Sequence, residues 1–279
     1  MRKFLIYSLI GLHICSLPKI SMIENLNNSV ITDTQTISSN LETKELNWYF
    51  QIRNDGIPPN APKESKRFIA NYDSYYLGDT SSKVIYLTFD EGYENGFTPE
   101  ILDILKNNNV PAAFFVVKPY IKQNPDLIKR MVDEGHLVCN HSTTHPSMAS
   151  ITDKDKFNKE FSNVEEEYKN LIGEDIPKFF RPPMGKYSET SLKYTKDLGY
   201  KSIFWSFAYH DWDIKNQPEK TKAKETILKR THNGGIILLH AVSKTNTEIL
   251  DDVIKEWKSM GYEIKPLTEL PDTPIFLHE

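Results

Sequence analysis

The sequence predicts an α/β protein: parallel β/α units curled into a closed or nearly closed barrel, behind an N-terminal extension. Three observations carry this. Apolar runs of about four to eight residues alternate with amphipathic stretches of roughly ten to eighteen, the pattern of strands joined by crossover helices. No glycine-rich phosphate turn follows the first strong strand, which counts against a nucleotide-binding sheet. Polar residues able to bind metal or move protons stand where the apolar runs end, namely Asp90, His141, Arg181 and His240. Barrel chemistry sits at that end of the strands.

Taken in order, Arg2-Lys3 precedes an apolar run from Phe4 to Leu17. Residues 1–20 therefore read as a signal peptide or N-terminal anchor. The run is shorter than the ~20 residues of a membrane span, so attachment through residues 4–17 is an alternative to cleavage. Residues 21–43, rich in Asn, Ser and Thr, read as a flexible linker. Residues 44–64 bring Trp48, Tyr49 and Phe50 together before Pro58-Pro59-Asn60-Ala61-Pro62 and read as an extended strap on the barrel. The β/α alternation fills residues 65–268, and 269–279 form a tail.

Within that domain, Val84-Ile85-Tyr86-Leu87-Thr88-Phe89 ends abruptly in Asp90-Glu91-Gly92. This is an interior strand delivering acids to a rim. Thr98-Pro99-Glu100 opens a helix with proline at its first turn. Further strands are expected at 111–117, 136–141, 177–181, 200–205, 236–240 and 262–264. Helices are expected from Pro125, from the Thr152-Asp153 cap, from Ser188, from Pro218 and from Glu248. The longest places Phe157, Phe161, Val164, Tyr168 and Leu171 on one face.

The 279 residues suit one core of roughly 200 residues plus an extension. A net charge of -4 argues against nucleic acid as partner. The two cysteines, Cys15 and Cys139, lack metal-site spacing, so neither a disulfide framework nor a cysteine-zinc site is expected.

His141-Ser142-Thr143-Thr144-His145 places two imidazoles four residues apart. If the chain turns there, both can face one ion; imidazole suits zinc, and also iron, cobalt or nickel. Glu91 is a possible carboxylate ligand. Asp90 and Glu91 point to opposite sides of their strand and so can hold different tasks, with Asp90 as proton acceptor from the attacking water. Arg181, ahead of Pro182-Pro183, is placed to orient Asp90. His240, at the tip of an apolar strand, is the candidate general acid, with Asp211 raising its pKa. Trp212, Trp205 and Tyr209 are candidates for an apolar wall that takes a sugar face or methyl group. His136, at a strand start, reads as structural, and His232, before Asn233-Gly234-Gly235, as turn or surface.

Five ordered stretches resemble the polysaccharide deacetylases, the NodB-homology carbohydrate esterases of family 4. They are Thr88-Phe89-Asp90-Glu91-Gly92, His141-Ser142-Thr143-Thr144-His145, Arg181-Pro182-Pro183-Met184-Gly185, Asp211-Trp212 and Leu238-Leu239-His240. The resemblance implies a distorted (β/α) barrel and metal-dependent hydrolysis of acetyl groups on polysaccharides. It implies one divalent metal ion on His141 and His145, zinc first, with cobalt, nickel, iron, manganese or magnesium as alternatives. Asp90 then resembles the catalytic base, Arg181 its orienting partner, His240 the general acid and Asp211 the residue that tunes it. An N–H after the histidine loop is a further candidate to assist the oxyanion. Two departures stand out. Glu91 occupies the place of a metal-binding aspartate, and Ala208 stands where an aspartate is expected three residues before Asp211.

Asn47-Trp48-Tyr49-Phe50, Tyr75-Tyr76-Leu77-Gly78-Asp79 and Phe204-Trp205-Ser206-Phe207-Ala208-Tyr209 are similar to one subfamily. These are the peptidoglycan N-acetylmuramic acid de-N-acetylases of spore formers, whose product feeds δ-lactam formation in spore cortex. The resemblance implies an exported monomer acting on peptidoglycan strands, in the cell wall or the intermembrane space of a forespore. A deacetylase of N-acetylglucosamine, a non-catalytic wall-binding protein and a glycosidase are the rivals.

Overall fold

The computed structural model describes residues 41–53 and 56–278; the expected leader or anchor and the linker through residue 40 lie outside the described residues. The chain begins with β1 (Leu46–Asn47) and β2 (Ser74–Tyr75). There follow β3 (Val84–Glu91), α1 (Thr98–Asn108), β4 (Ala113–Val116), α2 (Lys118–Gln123), α3 (Pro125–Asp133) and β5 (Leu137–Asn140). Next come α4 (Lys154–Ile172), β6 (Phe179–Phe180), β7 (Lys186–Tyr187), α5 (Glu189–Asp197) and β8 (Lys201–Ile203). The last elements are α6 (Lys220–Arg230), β9 (Gly235–His240), α7 (Lys244–Ser259) and β10 (Glu263–Ile264).

One curled parallel sheet runs β9-β3-β4-β5-β6-β8-β2, with β10 beside the start of β3. The curl closes through irregular chain. Phe204 N–H donates to Tyr75 O on the β2 side at 2.7 Å, and two residues on Ser206 N–H donates to Ile236 O of β9 at 3.0 Å. Phe207 bridges Ile237 in parallel and Leu77 bridges Gly235 antiparallel. The expected distorted barrel is therefore present, with its seam held by a bend after the three-residue β8.

The alternation along β3 decides which side chains reach the chemistry. Ile85, Leu87 and Phe89 pack with α1 and α7 residues such as Ile101, Leu105, Ile254 and Trp257. Tyr86 faces the barrel interior with Phe115, Ile203 and Ile236. Thr88 and Asp90 continue that inner face, and Glu91 continues the outer one.

The strap and the tail pack against each other. β1 pairs antiparallel with β7. Trp48 stacks on Phe204 at 4.4 Å, and its indole N–H donates to Trp205 O at 2.9 Å. Phe276 stacks on Tyr76 at 5.2 Å, and Ala61 N–H donates to Leu277 O at 2.8 Å.

Two helices differ from expectation. α2 was hidden because it is only six residues long, and Pro119 stands in its first turn. α7 starts four residues before Glu248, because the Ser243 side chain caps Asn246 N–H ahead of the apolar run. His232 is buried, not a surface turn residue. Its Nδ1 meets Arg230 O at 2.7 Å and its Nε2 meets Ser206 Oγ at 2.8 Å. Gly78 has no room for a side chain: a Cβ there would lie 2.2 Å from Tyr86 Cε2. Gly78→Ala is expected to cost about 1–3 kcal/mol through overpacking, readable as a lower urea midpoint at unchanged slope.

Candidate active site

Parallel pairing of β3 with β9 sets Asp90 directly opposite His240. The next strands around the curl bring His141 after β5 and Arg181 after β6. A cleft of about 680 Å³ is lined by Asp90, His141, His145 and His240, with Trp205, Tyr209 and Trp212 on its walls. The structure thus brings together every site residue expected from the sequence except Glu91, with Arg181 and Asp211 behind the cleft wall rather than on it. Arg181 and Asp211 stand fully buried immediately behind Asp90 and His240.

Arg181 is wholly enclosed, and each polar contact has a distinct partner. Nη1 donates to Asp90 Oδ1 at 2.7 Å, Nη2 to Thr88 Oγ1 at 2.9 Å and Nε to Ile203 O at 3.1 Å. Its guanidinium lies 4.2 Å over the Phe115 ring. Thr88 passes its own proton to Ile237 O at 2.7 Å, so a residue of β3 ties this arginine to β9. Burial works against charge on Asp90, but Arg181, with His141 and His240, outweighs it and holds the carboxyl below its usual range.

The histidine loop is strained and tightly held. Ser142 and His145 have left-handed φ of 73° and 59°, uncommon for such residues. Asn140 Oδ1 accepts from Ser142 N–H, Glu160 Oε2 accepts from the N–H of Thr143 and Thr144, and Ser142 Oγ accepts from His145 N–H. Pro146 has no N–H, so 142–146 offers no free amide for an oxyanion. The result packs the His145 ring edge-on to His141 at 4.9 Å. His141 Nδ1 faces the acceptor Arg181 O at 2.8 Å and so carries the proton. Its Nε2 lone pair then faces Asp90 Oδ2 at 3.7 Å.

His240 is the mirror case. Its Nδ1 meets Asp211 Oδ1 at 2.7 Å, and its backbone N–H donates to Asp211 Oδ2 at 2.8 Å. Burial disfavours the imidazolium, but Asp211 more than offsets this and raises the pKa. With Nδ1–H committed to Asp211, Nε2 is the nitrogen left to exchange a proton. Trp212 stands 5.7 Å from the His240 ring, half-exposed and stacked on His210 at 4.2 Å.

Glu91 is not brought to the imidazoles. It is completely buried on the outer face of β3, with Oε1 3.5 Å from Thr98 Oγ1 and no partner for Oε2. Burial, and then the charges of Glu94 and Asp90, raise its pKa well above the carboxylate range. Among the described residues no group of three His, Cys, Asp or Glu could hold a metal ion. The imidazole pair on the cleft side still fits a cation: the unprotonated Nε2 of His141 faces the cleft with the His145 ring beside it, and the Asp90 carboxylate stands opposite as a negative neighbour.

Burial lowers both loop imidazoles, His141 to about 4. The unfolded chain binds protons there from about pH 6.5 downward while the folded one does not. Stability of the metal-free protein is therefore present above that value and falls as the pH drops toward 4. His141 alone accounts for about 3 kcal/mol of that loss. Urea unfolding at pH 7 and pH 4.5 checks this; equal midpoints would refute it.

Thr88 and Asn246, which donates to Asp211 Oδ2 at 2.6 Å, are site residues that sequence reasoning did not single out. Thr88 lies inside a motif, two residues from Asp90 on the same face, which was the available signal. Asn246 carried none.

A family model described as polysaccharide deacetylase matches residues 77–203. The peptidoglycan-N-acetylmuramic acid deacetylase PdaA of Bacillus subtilis is 46% identical over 225 residues, 81% of this chain and 85% of PdaA. The solved structure of PdaA, a family 4 carbohydrate esterase, superposes with a TM-score of 0.80, covering 82% of this chain and 98% of that one. A family 4 carbohydrate esterase from Bacillus anthracis is 40% identical with a TM-score of 0.69, covering 82% and 97%. A peptidoglycan-N-acetylglucosamine deacetylase of Bacillus cereus is 30% identical over 74% of each chain. With 46% identity to PdaA over most of both chains, and on the same fold, this chain belongs to the polysaccharide deacetylase family.

Proposed function

We propose that the protein is a metal-dependent peptidoglycan de-N-acetylase that removes acetate from N-acetylmuramic acid and leaves a free amine. The observation that carries this reading is the single cleft in which Asp90, His141, His145 and His240 stand together. The roughly 1.5-fold higher identity to PdaA than to the Bacillus cereus glucosamine enzyme favours the muramic sugar.

In this mechanism His141 and His145 would hold the ion, zinc first, through imidazole nitrogens. A divalent ion there supplies Lewis acidity toward the acetamide carbonyl and the attacking water. Everything else falls to the chain. Asp90, kept ionised by Arg181, takes the proton of the attacking water. The aromatic walls of Trp205, Tyr209 and Trp212 seat the sugar face and exclude bulk water. His240, kept protonated by Asp211, delivers a proton from Nε2 to the departing nitrogen, so that the C–N bond breaks to give an amine rather than its anion. Glu91 takes no part at the ion; buried and pushed toward its neutral form, it supports the turn into α1. We place the protein outside the cytoplasm, acting as a monomer on glycan strands, with residues 1–20 as leader or anchor. Its product amine is the group that muramic δ-lactam formation in spore cortex requires.

The experiment is acetate release from peptidoglycan stripped of its muramic peptides and from an N-acetylglucosamine oligomer, with metal content measured on the same sample. Acetate from the stripped peptidoglycan, lost on chelation and regained with zinc or cobalt, is expected. Acetate only from the oligomer would move the substrate to glucosamine. None from either, with folded and metal-loaded protein, would leave a wall-binding protein.

A further inference from the structure

Asp211 orients His240, and a separate cluster grips Asp211. Asn246, in the first turn of α7, is 1% exposed. Its Nδ2 donates to Asp211 Oδ2 at 2.6 Å and to His240 O at 3.2 Å. A carboxylate only accepts hydrogen bonds, so the amide must turn its NH2 toward Asp211. Oδ1 is thereby left facing Tyr209, whose hydroxyl donates to it. The grip extends to the main chain. Ser243 Oγ accepts from Asn246 N–H at 3.1 Å and donates to Gln217 Oε1 at 2.6 Å, while Gln217 Nε2 donates to Asp211 O at 3.0 Å. Tyr209 meanwhile keeps its ring on the cleft wall.

We propose that Asn246 is a positioning residue for the proton-donating His240, with the Tyr209 hydroxyl tethering its amide oxygen. The amide holds the Asp211 carboxylate against imidazole Nδ1 and so keeps Nε2 directed into the cleft. The catalytic consequence rests on the de-N-acetylase reading; the geometry does not. An inverted amide would set Oδ1 against Asp211 Oδ2, two acceptors with no proton between them. The acceptor-only Asp211 carboxylate prevents that inversion, and the Tyr209 hydroxyl, donating to Oδ1, tethers the other side of the amide, so one residue both lines the cleft and anchors the device behind it. The charged or titratable groups around His240 are Asp211, Asp90, Arg181 and His145. Asn246 adds no charge to this set and acts through direction alone.

The test uses the full chain as Asn246→Leu, close in shape but without donor or acceptor, and as Tyr209→Phe. Two readouts are taken: kcat and KM for acetate release, and the downfield proton resonance of the His240 Nδ1–H, assigned by its loss in Asp211→Asn. Asn246→Leu is expected to lower kcat about 10- to 100-fold, by analogy with the outer partners that orient metal-binding imidazoles. KM should stay within about twofold, the pattern of a group acting in the transition state. The Nδ1–H resonance should move upfield and broaden. Tyr209→Phe should shift both readouts the same way by less. If Asn246→Leu does not fold, Tyr209→Phe, which removes one oxygen from the wall, decides alone. An unmoved resonance in either folded variant overturns the proposal, as does wild-type kcat. If the parent releases no acetate from either glycan, the functional reading fails while the resonance still decides the positioning role.

Discussion

Asp90→Asn is expected to lower kcat for acetate release by about 10²–10⁴-fold, the range for losing a general base. Asparagine keeps the shape and keeps an oxygen for Arg181 Nη1, but it cannot take a proton. Substrate binding should change little, because the walls of the cleft are untouched. A second signature accompanies the loss. The Asp90 pKa lies below its usual value in the folded protein, so its stabilising contribution is present above about pH 3.9, the unfolded value. That contribution is lost as the pH falls through the folded value. The variant should therefore be less stable than wild type at pH 7, and the gap should close under acid. Retention of more than about a tenth of wild-type kcat would remove Asp90 from the role of base.

Arg181→Ala is expected to destabilise the protein by about 3–5 kcal/mol, the cost of stripping one partner from a buried charge pair. It leaves Asp90 without its counter-charge, Ile203 O without its donor, and a void beside Phe115. Urea unfolding measures the cost. Activity should be lost even well below the urea midpoint, because Asp90 would then be free to rotate and, buried without its counter-charge, would hold a proton more readily. Arg181→Lys should recover little of either property. An ammonium is a point charge, and it cannot reach Asp90 Oδ1, Thr88 Oγ1 and Ile203 O at once as the planar fork does. A lysine variant with wild-type stability and kcat would show that charge alone is needed there.

Much of the barrel and of the cleft was legible, for a shared reason. β3 and β9 are apolar runs that stop at a carboxylate and an imidazole, and nothing but a rim explains that abrupt change. The Asp153 cap and Gly173 likewise bracket α4 in local chemistry. What escaped were pairings between residues far apart in the chain. The seam at Phe207 and Ile237 has no periodic pattern, because it is a bend rather than a strand. His232 sits before a glycine turn, and only Ser206, 26 residues away, makes it a buried residue. Asn246 looks like one polar residue in the run Lys244-Thr245-Asn246-Thr247; its meaning lies in Asp211, 35 positions earlier. The opposite sides taken by Asp90 and Glu91 were readable from strand alternation. That same alternation is what carries Glu91 away from the imidazoles, because β3 keeps its regular pleat through its last residue.

The register that sets Asp90 against His240 has a temporal side. The two residues lie on neighbouring strands but 150 positions apart in the chain. Contacts this remote form late, since the intervening chain must first be closed into a loop. A chain emerging from a ribosome or a translocation channel holds its acid at Asp90 long before its partner exists. Until β9 docks on β3, no proton donor stands beside the acceptor. Hydrolytic competence is thus the last property this polypeptide acquires, and a product ending before residue 240 would be a folded fragment at most, never a slow enzyme.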